Sequence, residues 1–406
     1  MTEPLTMARI VDTAEALAVA ARLSGSFAAE ASTRDAERLL PYEQVCELKR
    51  SGLLTLSVPA EHGGLDVPAT VLAEVFRLLA HGDPSVAQIP HSHFTFLEVL
   101  RLQGTERQRG FFYGLVLEGA LFANAQSERG PHPIDVDTTV LLRRGAGDYL
   151  LTGRKFYSTG ALFADWIVVR ASVPADAADA PTAATPKAVA FVPRHAPGLT
   201  VIDDWDGMGQ RTTASGSVTL DEVRVPADHV VPFTPIFRRP TVYGARAQLW
   251  HAALDVGIAT AALEEGVRLA ARARPHFESG APVATDDPTL IQSAGEVAVT
   301  VRAAQALLGE AARAVDAATA DLTEDTAAAA SIAVATAKVA AERAALRAST
   351  ALFELGGTRS ATVSANLSRF WRDARTHTLH DPTRWKLHHI GRYLLSGTRP
   401  PRHGQL

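Results

Sequence analysis

The chain has 406 residues, of which 47% are hydrophobic and 21% charged, enough for a large core in two or three domains. Its formal net charge of −4 argues against a nucleic-acid-binding protein, which would carry a basic stripe. Cys46 is its one cysteine, which excludes an intrachain disulfide and a thiolate zinc site. The sequence shows neither a secretory signal nor a membrane-spanning run, and we expect a cytoplasmic protein that contacts no membrane.

The first 119 residues have a helical pattern, which predicts an N-terminal α-helical domain over residues 1–119. Apolar side chains recur there at three- to five-residue spacings, and Ser57–Gly64 has the composition of a turn. The expected helices are Arg34–Ser51, Pro68–His81, Ser85–Gln103 and Glu106–Leu117.

Residues 120–233 change to short β-rich runs, which predicts a middle β domain. Gly145–Asp148 is a hairpin signal, and Ala171–Pro186, rich in Ala, Asp and Pro, is expected to form a surface loop between strands. The expected strands are Tyr149–Leu151, Trp166–Arg170, Ala188–Val192, Leu199–Ile202 and Ser217–Val225.

Residues 234–406 return to helices that are long and rich in Ala and Leu. The expected helices are Ala245–Ala273, Pro288–Ala320 and Asp325–Leu355. Small side chains suit nearly parallel helices that pack closely, so this region is expected to form a helical bundle.

Five strings in order along the chain resemble the acyl-CoA dehydrogenase superfamily. They are SVPAEHGG at Ser57–Gly64, FANAQSE at Phe122–Glu128, LTGRKFYSTGALFA at Leu151–Ala164, the segment Asp206–Val225 and the segment Leu355–Pro382. The resemblance implies an α+β fold with an N-terminal helical domain, a middle β-barrel domain and a C-terminal four-helix bundle.

Other strings resemble one branch of that superfamily, the flavin monooxygenases that oxidise organic sulfur compounds, such as dibenzothiophene monooxygenases and sulfur-acquisition oxidoreductases. They are FWRDARTHTLHDP at Phe370–Pro382, DWDGMGQRTTASG at Asp204–Gly216, ARPHF at Ala273–Phe277 and RPPRHG at Arg399–Gly404. This resemblance implies a reduced-flavin (FMNH2)-dependent monooxygenase. Such an enzyme uses O2 and a C4a-hydroperoxyflavin to oxygenate a small sulfone, sulfide or thiophene.

The alternative is an FAD-dependent acyl-CoA dehydrogenase, which needs a carboxylate to remove a proton next to the thioester carbonyl. The family usually places a glutamate in the C-terminal loop, followed by Gly-Thr. Asp381 is the corresponding residue here, one methylene shorter and followed by Pro382. Tyr243–Leu254, the other segment that supplies the base in some members, contains neither Asp nor Glu. Asp255 lies just beyond that segment. We therefore favour the monooxygenase and keep Asp381 as the base of the alternative. A monooxygenase that acts on a nitrogen or phenolic compound, and a family member kept for binding or assembly, are two further alternatives.

A monooxygenase needs hydrogen-bond donors at the flavin and an acid for the leaving oxygen. By the resemblance, His380, His93, Thr159 and Asn124 fill these catalytic positions, with His380 nearest the oxygen intermediate. Histidine suits the acid because its ordinary pKa, about 6.5, lies near neutrality.

Three further side chains follow from the resemblance. Ser158 or Thr159 is expected to bond flavin N5, and Phe163 and Trp205 to line the substrate pocket.

Two of these assignments have structural alternatives. A histidine in a helix beside an aromatic residue, as His93 is, is more often a core residue. His377, His380 and Asp381 stand close in sequence, but their spacing matches no metal-binding signature, and we expect no metal site.

The flavin phosphate needs fixed positive charge and backbone donors. By the resemblance, Arg274 and Phe277 contact the flavin, and Gly356, Gly357 and Arg359 hold its phosphate end, usually from a neighbouring subunit. Phe353 replaces the glutamine that FAD users tend to have three residues before the glycine pair, which favours FMN, with FAD as the alternative. Arg359 could instead be an ordinary surface residue in a glycine-rich turn.

No strand-linked GxGxxG indicates a dinucleotide site. The resemblance therefore implies that a separate NADH:flavin reductase supplies reduced FMN by diffusion. It also implies a homotetramer with the C-terminal helices at its centre.

Overall fold

The computed structural model describes residues 8–145, 147–176 and 178–406. Its helices are α1 Thr13–Glu37, α2 Tyr42–Arg50, α3 Ala69–Gly82, α4 Pro84–Gln88, α5 His91–Gln103, α6 Glu106–Leu117, α7 Tyr243–Ala270, α8 Pro288–Ala320, α9 Glu324–Gly356, α10 Ser368–His377 and α11 Thr383–Ser396. Its strands are β1 Phe122–Ala125, β2 Val140–Arg144, β3 Asp148–Lys155, β4 Trp166–Ser172, β5 Lys187–Pro193, β6 Leu199–Ile202, β7 Ser217–Pro226 and β8 Val230–Pro232. Helices thus precede and follow a sheet, as the sequence predicts.

Two of the predicted N-terminal helices are broken in the structure. The helix expected over 34–51 is the end of α1 and the whole of α2, because Arg38 adopts a left-handed conformation (φ 53°) and caps α1. The helix expected over 85–103 is divided into α4 and α5 at Pro90, which cannot donate a backbone hydrogen bond. By contrast, α6 has the predicted bounds, and a capping box between Thr105 and Gln108 fixes its start.

The middle region is one sheet with the strand order β6-β7-β3-β2-β4-β5-β8, and β1 pairs in parallel with β4. The hairpin expected at 145–148 joins β2 to β3, although Ala146 lies outside the described residues. The segment between β4 and β5 is the loop expected from its Ala, Asp and Pro content. The parallel β1–β4 pair matters for function because it sets Asn124 beside the start of α5.

The C-terminal region is a bundle of the long helices α7, α8 and α9 with the shorter α10 and α11, in agreement with the predicted helices. Small residues allow the close contacts: a side chain at Gly257 would lie 2.6 Å from the carbonyl oxygen of Arg77 in α3. Trp250 of α7 stacks on Phe76 of α3 at 5.7 Å, which joins the bundle to the N-terminal helices. Domain boundaries near residues 119 and 233 stay a prediction.

Within the part of the chain that the structure describes, no helix combines the length and the apolar composition needed to cross a membrane.

Candidate active site

Three histidine rings form a stack where the N-terminal helices meet the bundle. His91 begins α5, His251 lies in α7, and His380 lies in the turn between α10 and α11. The ring centroids of His91 and His251 are 3.9 Å apart, and those of His251 and His380 are 4.1 Å apart. We name these three residues the histidine column.

His380 is the accessible end of the column, with 46% of its side chain exposed. Its Nδ1 lies 3.1 Å from Oδ1 of Asp381, which accepts the hydrogen bond, and Nε2 has no partner among the described residues. Asp381 also forms an ion pair with Lys386. Burial raises the pKa of Asp381, but the His380 hydrogen bond and the charges of Lys386 and Lys338 outweigh it and hold that pKa well below its usual range. Asp381 is thus an orienting carboxylate, not a proton acceptor.

His91 stays neutral at physiological pH because burial lowers its pKa to about 3. Its Nε2 lies 2.9 Å from the carbonyl oxygen of Ala247, which can only accept, so Nε2 carries the proton and Nδ1 keeps its lone pair. In the column, therefore, His380 is the residue whose exposure and acidic partner suit it to take up and release a proton.

The assignment of His93 to catalysis stays a prediction, but in the structure both of its ring nitrogens are engaged by backbone groups. Its Nε2 is 2.9 Å from the carbonyl oxygen of Leu54, and its Nδ1 accepts from the backbone N–H of Phe122 at 3.2 Å. The side chain is fully buried, and burial lowers its pKa to about 4. His93 joins three segments of the chain, which is the core role that its sequence context allowed.

Asn124 and Thr159 lie in a polar layer beside the column. Nδ2 of Asn124 donates to Oγ of Ser92, the residue after His91, at 2.7 Å. Thr159 lies 2.7 Å from Ser215, hydroxyl to hydroxyl. Gly160, next to Thr159, lies close to β1 and to the residues just before α5. A Cβ atom there would lie 3.8 Å from Ala123 and 3.1 Å from Ile89. The loop after β3, strand β1 and the start of α5 therefore converge.

Ser158 supports the expected fit of a flavin in this layer. Its side chain is fully buried, yet Oγ has no hydrogen-bond partner among the described residues. A buried hydroxyl without a partner is unfavourable, by about 1–3 kcal/mol, so such an atom is a marker of a missing ligand or water. Hydroxyl and amide groups next to it are the donors and acceptors that a flavin ring edge requires.

The two expected pocket walls differ in their surroundings. Trp205 is half-buried, and its Nε1 donates to the carbonyl oxygen of Gln210 at 2.9 Å, which fixes the indole in the loop before β7. Phe163 packs edge-on against Tyr42 of α2, with ring centroids 5.0 Å apart, and belongs to the core. Trp205 is thus half-buried, whereas most of Phe163 is buried in the core.

The residues expected at the flavin phosphate lie together in an exposed region that follows α7 and α9. Arg274, Phe277, Gly357 and Arg359 are exposed, with 85% of Phe277 accessible. Arg359 donates to the carbonyl oxygen of Arg272 at 2.6 Å, which connects the two loops. Gly356 is buried at the end of α9. We name this region the arginine end.

The histidine column and the arginine end lie at opposite ends of α7. From His251 to Ala270, the last residue of this helix, the axis rises about 28 Å. That span exceeds the length of one FMN molecule. This separation is the geometric basis for the proposal made below that two copies of the chain contribute to one flavin site.

His91 and His251 were not among the residues predicted from the sequence. His91 and His93 are two residues apart in a helix, so they point to different sides, and the pattern HSHF does not show which side faces the site. His251, like Gln248 and Asp255, is a polar residue on the buried side of α7, a signal that could have identified it.

A groove of about 590 Å³ between α3, α7 and α8 is lined in part by Glu74, Arg77, Glu264 and Arg313. It contains none of the column residues.

Comparison with known proteins gives matches along most of the chain. Family models for the N-terminal, middle and C-terminal domains of acyl-CoA dehydrogenase match residues 14–119, 122–223 and 249–385.

Similar full-length proteins include a Pseudomonas putida protein described as a probable FMNH2-dependent monooxygenase, SfnC. It is 33% identical over 398 residues, which cover 95% of this chain and 96% of that protein. Dibenzothiophene monooxygenase of Rhodococcus qingshengii is 32% identical over 400 residues, covering 95% and 94%. The crystal structure of FMN-bound TdsC from Paenibacillus sp. A11-2 superposes with a TM-score of 0.90 at 30% identity, covering 96% of this chain and all of that one.

Proposed function

The chain belongs to the acyl-CoA dehydrogenase family, and from this premise we propose that it is an FMNH2-dependent monooxygenase that oxygenates a small organosulfur compound. The observation that carries the proposal is the histidine column. It stands where a dehydrogenase requires a carboxylate base. The one carboxylate at that position, Asp381, is committed to His380 and Lys386.

When bound, reduced FMN supplies the two electrons that reduce O2, so that one oxygen atom goes to sulfur and the other leaves as water. The protein's part is to hold the reactants and to move protons. His380 presents Nε2 for proton transfer, and Asp381 keeps Nδ1 protonated and the ring oriented. We propose His91 rather than His93 as the second histidine of the site.

The proposed flavin-binding residues fall into two groups. Asn124, Ser158 and Thr159 contact the ring system, next to Trp205 and Phe163 on the substrate side. Arg274, Phe277, Gly356, Gly357 and Arg359 bind the phosphate end of a flavin held by a neighbouring copy. Support for this division is the separation of about 28 Å along α7.

That division requires an oligomer, and we propose the homotetramer that the sequence suggests. We also propose that a separate NADH:flavin reductase supplies FMNH2 by diffusion, since the sequence offers no dinucleotide-binding motif.

The test is stopped-flow absorbance. Anaerobic protein with one equivalent of FMNH2 is mixed with oxygenated buffer, alone and with dibenzothiophene or a small sulfone. We expect a transient spectrum distinct from that of oxidised FMN, which decays faster when a substrate is present and yields an oxygenated product. Direct return to oxidised FMN without a transient or product would contradict the proposal.

The dehydrogenase alternative has its own measurement. Protein loaded with oxidised flavin is mixed anaerobically with acyl-CoA thioesters of several chain lengths. Because Asp381 is buried beside two cations, we expect no bleaching of the flavin. Bleaching that disappears in Asp381→Asn would instead establish a dehydrogenase.

A further inference from the structure

A buried chain of hydrogen bonds leads away from the middle of the histidine column. Nδ1 of His251 lies 2.9 Å from Nε2 of His377 in α10, and Nδ1 of His377 lies 2.6 Å from Oδ1 of Asp255 in α7. The other carboxylate oxygen of Asp255 is 2.6 Å from Nζ of Lys338 in α9. Each of the four hydrogen-bonded residues, His251, His377, Asp255 and Lys338, is at most 2% exposed. The proposed function assigns no role to this chain of hydrogen bonds.

The first link fixes the proton on His377. Burial raises the pKa of Asp255, but His377 and Lys338 outweigh it and lower the pKa, so Asp255 is a carboxylate. A carboxylate only accepts, and therefore Nδ1 of His377 carries the proton. Burial also lowers the pKa of His377, so its ring is neutral and its Nε2 is an acceptor.

The second link fixes the proton on His251. Since Nε2 of His377 is an acceptor, the hydrogen bond of 2.9 Å exists only when Nδ1 of His251 is the donor. In the other tautomer two lone pairs would face each other in a buried site, which is unfavourable. Nε2 of His251 then keeps its lone pair and has no partner among the described residues.

The ring of His251 is enclosed by groups that bear on its protonation. His91 and His380 cover its two faces, and His377 contacts its edge. Lys338 and Asp255 lie behind His377, and the pair of Asp381 and Lys386 lies behind His380. Burial, above all, and also the neighbouring histidines and Lys338 disfavour a charged His251.

We propose that the Asp255–His377 pair locks His251 in its Nδ1–H tautomer and in one ring orientation, which makes His251 a positioning residue for His380. His380 has one hydrogen-bonded neighbour, Asp381, on its edge, and its ring face rests on His251. A His251 ring that could rotate or exchange tautomers would let His380 tilt, and a misplacement of about 1 Å is enough to impair proton transfer. The consequence for activity rests on the proposed function, whereas the lock itself does not.

The lock is tested directly by neutron diffraction from crystals of the flavin-free protein in deuterated buffer. We expect deuterium on Nδ1 of His251 and on Nδ1 of His377, and none on Nε2 of His251. Deuterium on Nε2 of His251 would overturn the proposal whatever the enzyme's substrate is.

Two substitutions of His377 distinguish the lock from a proton relay, in which His377 would instead pass a proton between His251 and Asp255. In His377→Gln the side-chain amide can still accept from His251 and donate to Asp255, but it cannot carry a proton through. In His377→Leu both hydrogen bonds are lost. We expect kcat to fall about tenfold or more in His377→Leu with KM little changed, and to stay within about threefold of the parent in His377→Gln, with the same pH profile.

The control is His388→Leu, the same replacement at an exposed histidine of α11 that takes no part in the chain of hydrogen bonds. Crystal structures of the three variants provide a readout other than activity, because the lock predicts a displaced His251 ring in His377→Leu alone. An inactive but correctly packed His377→Gln, or a fully active His377→Leu, would overturn the proposal.

Discussion

His93 is a buried histidine whose two ring nitrogens both bond to backbone groups, so its protonation is coupled to folding. The folded pKa of about 4 lies below the ordinary value of about 6.5. Between these pH values the unfolded chain binds a proton that the folded chain does not. The free energy of unfolding therefore falls as the pH is lowered from about 6.5 towards 4.

The matched variant is His93→Gln, in which the amide can keep both hydrogen bonds but has no titration in this range. We expect the loss of unfolding free energy between pH 7.5 and 5.0 to be about 2 kcal/mol smaller in the variant than in the parent. Urea titration at the two pH values measures this difference. Equal losses would mean that His93 is protonated in the folded protein at pH 5.0.

At the scale of elements, the loop at 203–216 depends on α10 for its position. The backbone N–H of Gln210 donates to Oδ1 of Asp373 at 2.5 Å, and the carbonyl of Gln210 in turn holds Trp205. Gly209 lies against the backbone of Arg372, where a side chain would approach to 2.0 Å. The glycine allows α10 to approach the loop closely enough for Asp373 to anchor it.

Asp373 anchors this loop, but ionisation of its buried carboxyl lowers the stability of the folded protein at high pH. Burial, and then the charge of Asp35, raise its pKa to about 7. The folded state therefore binds the proton more tightly than the unfolded state, and stability falls as pH rises from about 4 to 7. In Asp373→Asn an oxygen still accepts from Gln210 without a charge.

We expect Asp373→Asn to be more stable than the parent at pH 8, by a margin about 2–3 kcal/mol larger than at pH 5. Urea unfolding measures the margin, and hydrogen exchange of residues 203–216 checks that the loop stays anchored. A variant that is less stable at pH 8 would show that Asp373 works as an ionised partner of the nearby arginines.

These elements show what the sequence could predict. Helix α6 had a clear start in Thr105 and Gln108, and the long bundle helices had clear periodicity. The break at residues 38–41 was missed because Leu39 and Leu40 continue the apolar pattern through it. The site needed tertiary information, since only the packing of α5 against α7 decides that His91 faces His251 and His93 faces the sheet.

At the scale of the whole molecule, the proposed function makes the column and the arginine end two partial sites on one chain. His380→Ala removes the first and Arg359→Ala the second, and we expect each variant alone to be nearly inactive. When the two are unfolded and refolded together, random assembly gives some sites an intact His380 from one copy and an intact Arg359 from its neighbour. The recovered activity is expected to be about a quarter of the parent's.

The control is a mixture of the two variants that are refolded separately and combined only afterwards, which should stay inactive while exchange of copies is slow. No recovery after joint refolding would place both groups on the same chain's flavin. That result would contradict the division of the flavin site between two copies, which we inferred from the distance along α7.

If two copies share one flavin, as the length of α7 led us to propose, cofactor retention depends on protein concentration. A flavin held between two copies stabilises their association, and association in turn raises the affinity for the flavin, by the same factor. Dilution should then release FMN and dissociate the assembly together, and added FMN should oppose both. If FMNH2 arrives by diffusion, as proposed, the amount of protein in the cell would thereby set the fraction that is ready to react.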